Sequence, residues 1–219
     1  LTIGKETNTS NITIASDQAV AGPISIYGGD IQINNLLDTT AGDVNGDILL
    51  KSSADITLTA SKAITTNGGD VIFWANSDDE TTNGGYIYLQ DNTTLDTRTS
   101  ADRTANNGSS DDENGGSITL GGGSGTTTPT GYAINTVDNL IRGGINLGTE
   151  SGGTRHNSGI SFISGGGNIS LKGQQTSTKG SDAAGINAYE GFVFDAGKTG
   201  SITLIGDVSG SNASYSDGM

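Results

Sequence analysis

Cysteine is absent from the 219 residues, proline occurs twice, and histidine, tryptophan and methionine occur once each. Without cysteine there is no disulfide framework and no thiolate nucleophile, and with His156 alone a zinc site built from His and Cys is excluded. Basic residues are scarce, 10 against 24 acidic ones, for a formal charge of −14. That balance argues against nucleic acid and against an anionic membrane surface as partners. No apolar stretch approaches the ~18 residues that a membrane-spanning helix needs, so membrane insertion is not expected. Only 32% of the chain is hydrophobic and 5% aromatic. A wide globular core would be hard to fill from that supply, whereas a thin one needs fewer apolar residues per turn.

What the chain has is glycine, 36 residues of it, with no Gly-X-Y period that would make collagen. The glycines punctuate short strands of alternating character: Gly29-Asp30-Ile31-Gln32-Ile33, Gly69-Asp70-Val71-Ile72-Phe73, Gly116-Ser117-Ile118-Thr119-Leu120, Gly167-Asn168-Ile169-Ser170-Leu171 and Gly200-Ser201-Ile202-Thr203-Leu204. The spacing is regular. Ile24 to Ile31 is 7 residues, Ile48 to Ile56 is 8, Ile56 to Ile64 is 8, and Ile64 to Val71 is 7. A strand of four or five residues plus a tight corner consumes that length, and three such faces make a coil of roughly 20 to 24 residues, which is solenoid territory. Alternation turns Ile56 and Leu58 inward and Asp55 and Thr57 outward. Glycine ahead of each strand is expected to supply dihedrals that larger residues resist.

No segment keeps a 3.6-residue apolar period over three turns, and the crossover helices of an open parallel sheet are missing. Asn45-Gly46 and Asn67-Gly68 are the best signals for an antiparallel hairpin instead. The pattern predicts strands over Asn11–Ala15, Pro23–Tyr27, Asp30–Asn34, Asp47–Lys51, Asp55–Ala60, Ala63–Thr66, Asp70–Ala75 and Tyr86–Gln90. It resumes at Ile145–Leu147, Ile160–Ser164, Asn168–Lys172, Gly185–Ala188, Phe192–Asp195 and Ser201–Ile205. Residues 91–115 and 121–131 read as inserted loops, and Tyr132–Leu140 as strand or irregular chain. Such loops are where solenoids carry function.

Three chemistries are worth weighing. Asp78, Asp79 and Glu80, and again Asp111, Asp112 and Glu113, offer dense oxygen ligands and are candidate calcium-binding residues, without EF-hand or nonapeptide spacing. Solvated acidic loops are the alternative for both runs. Trp74, Tyr86 and Tyr88 fall on the outward side of their strands and form a candidate shallow glycan platform; otherwise these rings cover the base of the 91–115 insertion. Asp30, Asp47, Asp55 and Asp70 sit at strand starts. Stacked carboxylates one rung apart could serve glycoside hydrolysis, but turn chemistry explains the position more simply, with Asp capping backbone amides. His156 lies in Gly152-Gly153-Thr154-Arg155-His156-Asn157, a turn-like setting without a Gly-x-Ser-x-Gly elbow, and reads as a loop residue.

The run from Ile48 to Ala60, ILLKSSADITLTA, resembles the repeats of filamentous-haemagglutinin-like bacterial adhesins, as do GGDVIFWANSD from Gly68 to Asp78 and GGNISL from Gly166 to Leu171. The likeness covers residues 11–89 and 158–204. It implies a right-handed parallel β-helix rod, exported to the cell surface or secreted, that serves attachment, aggregation or toxin presentation. The expected fold is therefore an all-β parallel β-solenoid with loop insertions, a single β-helix segment over 1–219 and an excerpt of a longer chain. The expected function is non-catalytic adhesion or scaffolding. Partners would be surface glycans or proteins of host or neighbouring cells, or other copies through end-to-end or lateral association, and no cofactor is required beyond a possible calcium ion. Two further classes stay open: a glycan-processing β-helix enzyme and a structural subunit of an extracellular filament or matrix.

Overall fold

The structure is a computed structural model that describes residues 1–42, 46–105, 113–136, 143–149, 158–176, 182–209 and 215–217. The chain winds as a parallel β-helix of three sheets, visited in turn on successive coils. The first sheet takes Thr2–Ile3, Ile24–Gly28, Ile48–Ser52, Val71–Ala75, Ile118–Gly125, Ile169–Gln175 and Ile202–Asp207. The second takes Ile12–Ile14, Ile31–Ile33, Ile56–Leu58, Ile87–Leu89, Gly143–Leu147, Asp182–Ala188 and Tyr215–Asp217, and the third Gln18–Ala19, Leu37–Asp38, Ala63–Thr65, Thr94–Asp96, Ile160–Ile163 and Phe192–Asp195. Each strand pairs in parallel with its counterpart one winding on: Ile24 with Ile48, Ile48 with Val71, Val71 with Ile118, Ile118 with Ile169 and Ile169 with Ile202. The early coils advance by 24 and 23 residues from Ile24 to Ile48 to Val71.

Because register carries each inward position onto the next, the core is a set of columns. Ile26, Leu50, Phe73, Leu120 and Leu171 form one, and Ile31, Ile56, Ile87 and Ile145 another, all 0–1% exposed. Leu37, Ile64, Leu95 and Phe162 fill the third side, and Phe194 packs against them. Branched aliphatics repeated at the ~4.8 Å rung spacing stack in contact, which is how a chain with few apolar residues keeps a dry interior.

The corner between the third and first sheets explains the glycine signature. Gly46, Gly69, Gly116, Gly167 and Gly200 each open a coil, and they lie one above the other. A Cβ on Gly69 would come 2.6 Å from the Gly46 carbonyl carbon. On Gly116 it would meet the Gly69 oxygen at 2.2 Å, on Gly167 the Gly116 oxygen at 2.2 Å, and on Gly200 the Gly167 oxygen at 2.1 Å. None of these five has a positive φ. The expectation that they supply unusual dihedrals is thus corrected: they are glycines because backbone lies against backbone. The residue that ends each third-sheet segment closes the corner. Thr39, Thr66 and Thr97 donate their buried hydroxyls to the carbonyls of Gly46, Gly69 and Gly116, all at 2.6 Å, and Ser164 does the same to Gly167.

The sequence-based boundaries need two revisions. The run 91–115, expected as a loop, begins with the third-sheet strand Thr94–Asp96, whose Leu95 is fully buried. After it Thr99 caps a short helix, Ser100–Ala105, accepting the Asp102 amide at 3.1 Å and donating to its carboxylate at 2.7 Å. Asp96 pairs with Arg98 at 2.8 Å and Arg103 at 3.1 Å, and Arg103 also donates to the Thr66 carbonyl, which ties the helix to the rod. The run 121–131 continues the strand Ile118–Gly125 and turns back antiparallel as Pro129–Gly131. Ala133–Asn135 then rejoins the first sheet, parallel to Gly173–Gln175. Asn67-Gly68 makes no hairpin; Gly68 has a φ of +81° inside the glycine corner. Asn45 lies outside the described residues.

Candidate functional site

Outward positions form columns too. On the first sheet Ser25, Leu49, Ile72 and Thr119 stand in one column, and Tyr27, Lys51, Trp74 and Gly121 in the next. Where the two meet the turned-back hairpin, a groove of about 320 Å³ opens on this face. Its floor is Ser25, Leu49 and Ile72. Tyr27, Lys51 and the edge of Trp74 form one flank, and Pro23 and Asp47 the other. Thr126 and Thr127, at the hairpin turn, stand at one end and Glu6 of the first coil lines it as well.

Trp74 holds this arrangement. Its indole Nε1 donates to the Gly123 carbonyl at 2.6 Å, and the ring lies so close to Gly125 that a Cβ there would be 2.9 Å from two ring carbons. Lys51 Nζ lies 4.3 Å from the ring centroid and 3.3 Å from a Glu6 carboxylate oxygen. The outward assignment of Trp74 is therefore right as to face, but the hairpin and Lys51 leave it only 2% exposed.

Tyr86 and Tyr88 sit elsewhere. Tyr88 is on the second-sheet strand Ile87–Leu89 and Tyr86 directly precedes it, both half-buried, so the expected platform of Trp74, Tyr86 and Tyr88 on one surface does not form. Trp74 does not cover the base of 91–115 either, since it lies under the 121–131 hairpin. Burial pushes the Tyr88 phenol up to about 12, with the Asp91 carboxylate adding to it. Burial raises Tyr86 as well, and the neighbouring Asp55 carboxylate contributes.

The strand-start aspartates form two ladders. Along the second sheet, Asn11 Oδ1 accepts the Asp30 amide at 3.0 Å, Asp30 Oδ1 the Asp55 amide at 3.4 Å, and Asp55 Oδ1 the Tyr86 amide at 3.0 Å. Along the first, Asp47 accepts from Asp70 at 2.9 Å, Asp70 from Ser117 at 2.7 Å, Ser117 Oγ from Asn168 at 3.2 Å, and Asn168 from Ser201 at 3.0 Å. The amide-capping role read from the sequence is what the geometry shows, with one addition: the amide capped belongs to the coil above. Burial pushes the Asp55 carboxyl up to about 6, partly offset by the Tyr86 amide and reinforced by the Asp30 carboxylate.

The acidic candidates are dispersed. Asp78, Asp79 and Glu80 lie on the excursion between the Val71–Ala75 and Ile87–Leu89 strands, with Asp79 at a φ of +60°. Glu80 is exposed and accepts the Thr82 amide at 2.8 Å, which lowers its pKa below the usual range. Glu113 pairs with Lys198 on the far side of the helix insertion. Asp111, Asp112 and His156 lie outside the described residues. Among the described residues no three His, Cys, Asp or Glu side chains are placed to hold a metal ion together. Among them, too, no helix is long and apolar enough to cross a membrane.

Sequence reasoning missed the groove because its parts come from four coils and a hairpin. The one local signal was the glycine-threonine run 121–131, whose small residues let the chain fold back over the Trp74 ring. No family model, no curated protein and no solved structure matches the chain, so the filamentous-haemagglutinin likeness stands on the coil pattern alone.

Proposed function

We propose that this chain is an adhesive or scaffolding segment of a large exported bacterial surface protein, displayed at the cell surface or secreted, with the rod face doing the contacting. The observation that carries this is the outer face of the first sheet. Its side chains are held in straight columns by a continuous parallel ladder, and a groove on it is walled by a hairpin inserted into a coil. A rigid rod with a shaped lateral site suits holding another surface. The acidic balance, −14 overall, keeps such a rod soluble and repels anionic polymers. The test is to couple the chain to beads and count their attachment to epithelial and bacterial cells. Attachment above that of albumin-coated beads supports the reading, and its absence on every surface removes it.

One observation favours a glycan-processing activity as a second reading. Asp30 and Asp55 occupy adjoining rungs, and rungs ~4.8 Å apart bring carboxyl groups near the ~5–5.5 Å used by retaining hydrolases. Asp55, raised to about 6, holds its proton in the range a general acid uses. Release of reducing ends from a polysaccharide panel, lost in Asp55→Asn, would support this reading over adhesion.

A further inference from the structure

We propose that the groove on the outer face of the first sheet is a binding site for a short segment of neutral saccharide. The assignment rests on the adhesion reading above and names the ligand of that surface. At about 320 Å³ the groove is at the lower end of small-ligand sites, roughly 300–1,000 Å³, which suits a few sugar rings and not a folded partner.

The surfaces match a pyranose on both of its aspects. A sugar ring has an apolar C–H face and a rim of hydroxyls. Leu49 and Ile72, side by side on adjoining rungs, give a flat aliphatic floor, and Tyr27 adds an aromatic flank. Around the floor stand carboxylates and hydroxyls: Glu6 and Asp47 to accept from sugar hydroxyls, Thr126 and Thr127 to donate or accept. An extended peptide fits less well. The floor strands have parallel partners on both sides, so no strand edge is open for an added strand.

Charge narrows the ligand class further. Among the described residues the only cation lining the groove is Lys51, and it is already engaged by the Glu6 carboxylate and the Trp74 ring. Two carboxylates against one cation leave the site net negative. Sialylated, sulfated and uronate-rich glycans are therefore disfavoured, and neutral hexose or N-acetylhexosamine chains are favoured. The site is also preformed. Its floor lies on central strands and its indole wall is pinned to Gly123, so little ordering is required on binding.

Trp74 is the sole tryptophan, so its fluorescence reports on the groove directly. The experiment titrates the chain with cellohexaose, maltohexaose and chitohexaose, and with sialyllactose and a galacturonate hexamer, following Trp74 emission, with the bead assay in parallel. The expected result is a saturable shift with at least one neutral hexamer and none with the acidic sugars. Tyr27→Ala should weaken that binding at least tenfold and Leu49→Arg abolish it, while Thr57→Ala on the second sheet leaves it unchanged. Far-ultraviolet circular dichroism checks that each variant is folded; should Leu49→Arg fail to fold, Tyr27→Ala decides. Preference for an acidic sugar, or neutral-sugar binding unaffected by Tyr27→Ala, overturns the assignment. Beads that attach to cells through a chain blind to all five sugars also overturn it, while leaving the adhesion reading standing.

Discussion

Phe162 and Phe194 stack in register on adjoining rungs, with ring centroids 4.8 Å apart and planes 18° from parallel. They extend the Leu37–Ile64–Leu95 column toward the last coils, and Phe192 meets Phe194 edge-on at 5.5 Å. Phe162 is fully buried. Phe162→Ala is expected to destabilise the chain by about 3–5 kcal/mol through lost contact and a residual void. Phe162→Leu should cost less than about 1.5 kcal/mol, because a leucine already occupies the preceding rung of the same column. Urea unfolding of the two variants checks the contrast.

The glycine corner makes a sharper forecast. Gly116→Ala would drive a methyl group into the Gly69 carbonyl, which is backbone and cannot swing aside. The chain should fail to fold, or lose more than about 4 kcal/mol. Gly22→Ala, with nothing within 4 Å of the added carbon, should change stability by under about 1 kcal/mol. Thr97→Val keeps the volume but strands the Gly116 carbonyl at a buried site, for a loss of about 1–3 kcal/mol.

Asp55 gives the chain a pH dependence of definite sign. Its carboxyl is raised in the folded chain from 3.8 to about 6. The folded state therefore binds this proton more tightly than the unfolded one. The resulting stability is fully present below about pH 4 and is lost as pH rises through about 6. Allowing for partial solvent contact, the loss is about 1–2 kcal/mol. Asp55→Asn should flatten this part of the profile, so that melting temperatures of parent and variant diverge from about pH 4 to about 6.5 and run parallel above it, with the variant higher there by about 2–6 °C. Equal slopes across that range would contradict the burial argument.

Calcium offers a check on the acidic runs. Asp78, Asp79 and Glu80 are spread along an excursion, and Glu113 is paired with Lys198. Raising calcium to millimolar levels is expected to shift the melting temperature by less than about 1 °C relative to chelator. A rise of several degrees would mean a ligand that binds the folded state selectively and would direct attention to Asp111 and Asp112.

The coil was legible because its signal repeats. Glycine, a small polar residue and alternating aliphatics recur where the first-sheet strands at Ile48, Val71, Ile118, Ile169 and Ile202 begin, and one winding imposes its pattern on the next. The third sheet was fainter for a physical reason. Gln18–Ala19 and Leu37–Asp38 are two-residue strands, and a strand that short with at most one buried side chain has no alternation to read. Leu95 sits alone among polar residues, although it fills a column. The roles of the opening glycines were hidden because the atoms that exclude a Cβ lie a full coil away. Trp74 was placed on its correct face, but its cover is a hairpin whose Gly123 is 49 positions on in the chain.

The backbone hydrogen bonds between rungs all run along the axis of winding, from the first coil to the last. A pull applied lengthwise meets those bonds in sequence, because each rung is joined to the next only through its own short ladders. Tension is then expected to peel single windings from an end, releasing 23 or 24 residues from each early coil and 33 to 51 from the later ones that carry insertions.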